Sequence, residues 1–127
     1  MSFLTSLQAY LEPGKGVAEY ALGEWSDDLE GEKEKSYLSI SFQNSERPGV
    51  ISQTRMVELF VVSPAQAHIR AGGRVSAFES AEKLIQYIIG KPVSSCFANV
   101  IPIAGIIGPK VTADKRHVYM IPLAITF

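Results

Sequence analysis

Cysteine and histidine are the residues here most able to act as nucleophile, base or metal ligand. The chain holds one cysteine, Cys96, and two histidines, His68 and His117. A reactive thiol needs a neighbouring base or cation to hold it as thiolate. Neither histidine lies in a nucleophile motif, and nothing in Val93-Ser-Ser-Cys-Phe-Ala98 lowers the thiol pKa. The three residues also lack metal-ligand spacing. Cys96 therefore reads as a structural cysteine, and His117 as a packed or exposed residue opening a strand. A single cysteine excludes an internal disulfide.

Two glycine-bearing segments invite a phosphate reading. Gly72-Gly73-Arg74 leads into a helix start, where free backbone N–H groups can hold an anion. The third glycine of a dinucleotide loop is missing. In Gly105-Ile-Ile-Gly-Pro-Lys110 the glycines stand too close for a P-loop, and no Ser or Thr follows the lysine. No catalytic residue, metal or cofactor is expected, and the chain does not read as an enzyme.

Charge offers a different chemistry, that of surfaces. Glu24, Asp27, Asp28, Glu30, Glu32 and Glu34 crowd one short stretch, offset only by Lys33 and Lys35. The spacing does not fit a calcium loop. It reads as a solvated loop that can present a negative patch to a basic partner. Arg47 sits in a turn-rich loop, and Arg70 and Arg74 flank the double glycine. Glu24, Asp27, Asp28, Glu30, Arg47, Arg70 and Arg74 are thus the candidate protein–protein contacts. In a ring of identical copies, Arg70 and Arg74 can face the neighbour's acidic stretch, head to tail.

The elements that must position these residues follow from length and pattern. A chain of 127 residues is one domain. With 46% hydrophobic and 20% charged residues it has a core to build and is not disordered. A net charge of -1 argues against a nucleic-acid partner. The N-terminus has no basic start or apolar run of signal-peptide type. The longest apolar run near the C-terminus, Val100 to Ile107, is interrupted by Pro102 and Gly105 and is too short to span a membrane. A cytoplasmic location is expected.

Phe3, Leu7 and Leu11, widened by Leu4 and Tyr10, predict a helix over residues 2–11, ended by Pro13-Gly14. Residues 12–34 read as an irregular or acidic segment, with a short strand or packed loop near Tyr20 and Trp25. Lys35–Gln43 alternates apolar and polar residues, and Arg55–Val62 is apolar on both faces except at Glu58. They predict an antiparallel hairpin. Ser76 and Glu79 have capping-box spacing, with Phe78, Ala81, Leu84, Ile85 and Ile88 as the buried stripe of a second helix closed by Gly90-Lys-Pro92. A second hairpin is expected from arms at Phe97–Ile107 and His117–Phe127, with Thr112–Arg116 as a polar tip. Pro102 and Pro122 favour edges or bulges. The expected fold is α+β, in the order α-β-β-α-β-β. It has a four-stranded, mostly antiparallel sheet with helices on one face. Two helices cover one face only, so the surplus apolar residues of Arg55–Val62 and His117–Phe127 are expected to meet another chain.

This layout resembles the bacteriophage tail terminator and minor tail proteins. The resemblance is carried by the helix Phe3–Leu11, the hairpin Lys35–Gln43 with Arg55–Val62, the long helix after Gly72-Gly73 and the closing hairpin. Met56-Val-Glu-Leu-Phe-Val-Val62, followed by a loop and Ser76–Ile89, looks like the family's central strand and helix. It is best over residues 35–127. It implies a homo-oligomeric ring, usually hexameric, that caps the tail tube, ends its polymerisation and joins the head–tail connector. It implies a place in the virion tail, and in the host cytoplasm during assembly. The other classes considered are a small oligomeric interaction or regulatory module, and a ligand-binding α+β domain or enzyme.

Overall fold

Alternation of side chains decides the sheet. In the computed structural model, which describes residues 3–16, 18–20, 36–42, 54–63, 73–94, 97, 99–111 and 116–126, the elements are α1 (Phe3–Leu11), β1 (Glu19–Tyr20), β2 (Tyr37–Phe42), β3 (Thr54–Val62), α2 (Gly73–Gly90), β4 (Asn99–Pro102), β5 (Ile107–Val111) and β6 (His117–Thr126). The strands lie in the order β1-β2-β3-β6-β4, with β5 also paired to β6. Only β1 and β2 pair in parallel; the other pairings are antiparallel. The expected α+β class and mostly antiparallel sheet hold. The sheet has six strands rather than four, for two reasons. A short β1 forms beside β2, and the outer arm of the second hairpin splits into β4 and β5.

One face of the sheet carries the core. Leu38 and Ile40 of β2, Val57, Leu59 and Val61 of β3, and Tyr119, Ile121, Leu123 and Ile125 of β6 are buried together. They pack with Leu7, Tyr10 and Leu11 of α1 and with Ala77, Ala81, Leu84 and Ile88 of α2. Fully burying one such aliphatic side chain is worth roughly 1.5–3 kcal/mol. α2 links β3 to β4, which run parallel with β6 between them.

The helix α2 begins earlier than its sequence suggests. It starts at Gly73, so Ser76 lies inside the first turns and is not the cap. The buried stripe is Ala77, Ala81, Leu84 and Ile88, with Ile85 at its margin and Phe78 exposed. Two alanines fill the sheet-facing positions of the N-terminal half, and Phe78 turns to the flank, its ring 5.5 Å from that of Tyr119. The expected stops hold: α1 ends at Leu11, before Pro13-Gly14, and α2 ends at Gly90. Gly14 has a second role, because a Cβ there would lie 2.5 Å from the Tyr87 ring.

The polar tip expected at Thr112–Arg116 is corrected at Arg116, which is fully buried; residues 112–115 lie outside the described residues. Its guanidinium donates to the Ser63 carbonyl at 3.2 Å and lies 5.6 Å from the centre of the Tyr37 ring. The Ser63 N–H donates to the His117 carbonyl and the His117 N–H to the Ser63 Oγ, which extends the β3–β6 ladder past its last pair. Arg116 thus ties β2, β3 and β6 together. The polar face expected on β2 is not solvated at Ser39, which is also buried.

Pro122 sits in β6, between two neighbouring strands, where a proline is ordinarily excluded. Its carbonyl accepts from the Ile103 N–H on the outer arm at 2.9 Å. In an antiparallel strand a residue's N–H and C=O point to the same side. The missing N–H of Pro122 therefore faces the outer arm where that arm leaves the ladder. Between the pairs Pro102–Leu123 and Ile107–Met120, four residues of the arm stand against two of β6. A second irregularity follows between Ile107 and Lys110. It contains Gly108 at φ +127 and a cis Gly108–Pro109 bond.

Only glycine suits that second bulge. A Cβ on residue 108 would lie 2.8 Å from the Val118 carbonyl oxygen, whereas one on Gly105 would meet nothing within 4 Å. Gly108→Ala is expected to destabilise the fold by about 1–3 kcal/mol. Gly105→Ala should stay within about 0.5 kcal/mol of wild type. Urea titration of both variants checks this; equal midpoints would remove the constraint assigned to Gly108.

Candidate functional site

Among the described residues the outer arm exposes four large apolar side chains, and Phe78, Ile89 and Val93 are exposed on or just after α2. Ile101, Ile103, Ile107 and Val111 are 48%, 49%, 47% and 53% exposed, and every residue of β5 is exposed. Antiparallel edges of this kind are ready templates for another strand. The β4 part is partly covered, because the Val100 N–H points outward to the Pro92 carbonyl at 2.8 Å. Pro102, two residues on, presents its nitrogen on the same outer side, where a missing N–H costs no ladder bond. β5 has no strand beyond it among the described residues.

The second face of the sheet is also incompletely covered. Tyr37, Val62 and Val118 form a small buried cluster at one end, with Phe60 against it. Met56, Glu58, Met120, Pro122 and Ala124 are half-buried along the same face. Among the described residues no helix packs there.

Among the described residues nothing assembles a catalytic group. Ser63 and His117 are neighbours, but the Ser63 Oγ accepts from the His117 backbone N–H at 2.8 Å, not from the imidazole. The His117 Nδ1 is buried without a hydrogen-bond partner. Among the described residues no cluster of His, Cys, Asp and Glu could hold a metal, and no helix is long and apolar enough to cross a membrane. Of the candidates read from the sequence, Glu24, Asp27, Asp28, Glu30, Arg47 and Arg70 lie outside the described residues, as do His68 and Cys96. Arg74 lies in the first turn of α2.

A family model described as phage tail termination protein matches residues 1–127. The chain belongs to this family. A comparison with curated proteins returns no match. The protein is a phage tail termination protein, a structural component of the tail, and the family implies partners within the tail. The sequence reading of the element order reached the same family, but it did not single out the exposed residues of β5. Their signal was present: an apolar run broken by Pro102, Gly105, Gly108 and Pro109 is neither a buried strand nor a loop.

A ligand pocket would be the competing site in this tail protein. A cavity of about 200 Å³ lies between α1 and the end of α2, lined by Ser6, Ala9, Tyr10, Pro13, Tyr87, Lys91 and Ser94. Small-molecule sites usually measure roughly 300–1,000 Å³ and gather several polar groups. Here the polar groups serve the fold. The Tyr10 hydroxyl donates to the Lys91 carbonyl and the Tyr87 hydroxyl to the Tyr10 carbonyl, at 2.5 and 2.6 Å. The Ser94 Oγ accepts from the Phe97 N–H at 3.0 Å. The Tyr10 ring meets Phe97 edge-on, 6.1 Å between centres. This cluster locks α1 to the end of α2.

Burial, and then the Tyr87 charge, pushes the Tyr10 phenol from 10.0 up to about 12. Burial also raises Tyr87. Tyr20 is raised by burial and by donating to the Glu12 carboxylate. A raised phenol contributes stability that is complete below the unfolded pKa near 10. That contribution is lost as pH climbs toward the folded value, because the unfolded chain ionises first. The melting temperature is expected to fall steadily from pH 10 to about 12. Tyr10→Phe should cost about 1 kcal/mol at neutral pH and flatten that fall. Thermal melts across this range check it; an unchanged slope in Tyr10→Phe would exclude Tyr10 as a source.

Proposed function

We propose that this protein forms a closed ring of identical copies on the last ring of the tail tube. The ring ends tube polymerisation and presents a surface to the head–tail connector. The family match over residues 1–127 carries the reading. The exposed apolar arm of β4 and β5 supports it, because surplus apolar surface on a small domain marks a protein contact. A hexamer is the expected ring. The mechanism is steric and interfacial, with no reaction catalysed and no cofactor required. Glu24, Asp27, Asp28, Glu30, Arg47, Arg70 and Arg74 are proposed as contacts to neighbours, tube or connector. The virion tail is the proposed location, reached from the host cytoplasm.

Absolute mass by light scattering, from low to high micromolar concentration, tests the ring. A hexamer, or a monomer converting to one, is expected. A mass fixed at one chain throughout the series would count against a self-assembling ring. Charge reversal at Arg74 should weaken assembly; an unchanged mass in Arg74→Glu would remove that residue from the contact.

A further inference from the structure

We draw no further inference here: the strongest candidate, the apolar surface patch of Phe78 and Ile89 on α2 with Ile101, Ile107 and Val111 on the β4–β5 arm, is exposed, but nothing in the structure shows what covers it.

Discussion

β6 is hydrogen-bonded along both sides, and the rest of the molecule takes its place from that strand. Its register with β3 runs from Thr54–Thr126 to Val62–Val118. Because side chains alternate, this register sends Tyr119, Ile121, Leu123 and Ile125 to the helices and Val118, Met120 and Ala124 to the other face. A slip of one residue would exchange the two sets and expose the core. The two Ser63–His117 hydrogen bonds, one through the Ser63 Oγ, and the buried Arg116 hold the end of this ladder where a slip would begin. α2 crosses from β3 to β4 over β6, and its alanines allow it to lie close to that strand.

The same strand creates the irregular outer arm. Pro122 cannot donate, and its bare nitrogen is tolerated because the arm bends away opposite it. The bend divides the arm into β4, which Pro92 partly covers, and β5, beyond which no strand lies among the described residues. A chain meant to remain alone would be expected to cover or charge such an edge. Here Lys110 is the only charged residue in β5, among Ile107, Gly108, Pro109 and Val111. A tail termination protein belongs among partners in the tail, and an edge that is bent and apolar suits a protein contact.

Much of this was legible in residue order. The stripes of α1, the two faces of β3 and the alternation of β6 were readable because periods of 3.6 and 2 leave a direct trace in hydrophobicity. The stops at Pro13-Gly14 and Gly90-Lys-Pro92 were readable because proline and glycine act locally. The start of α2 was not. Ser76 and Glu79 have a cap's spacing, but packing of Ala77 against the sheet carries the helix back to Gly73. Arg116 was misplaced for a similar reason. Its charge suggested solvent, and only the fold brings the Ser63 carbonyl and the Tyr37 ring to it. The short β1 and the split of the outer arm depend on pairing partners distant in the chain.

Composition and periodicity by themselves determined the α+β class, the order of the two helices and the main strands, the helix-covered face and the surplus of apolar strand surface. They also pointed to charge and contact rather than catalysis. Which surplus stays exposed was decided only in three dimensions. Strand order places β3 and β6 inside the sheet and leaves β5 at its margin, although all three are apolar in sequence. The reason is that burial depends on neighbours, and neighbours in a sheet are chosen by register over long separations. A hydrophobicity pattern records which face of a strand is greasy; it does not record which strand will be last.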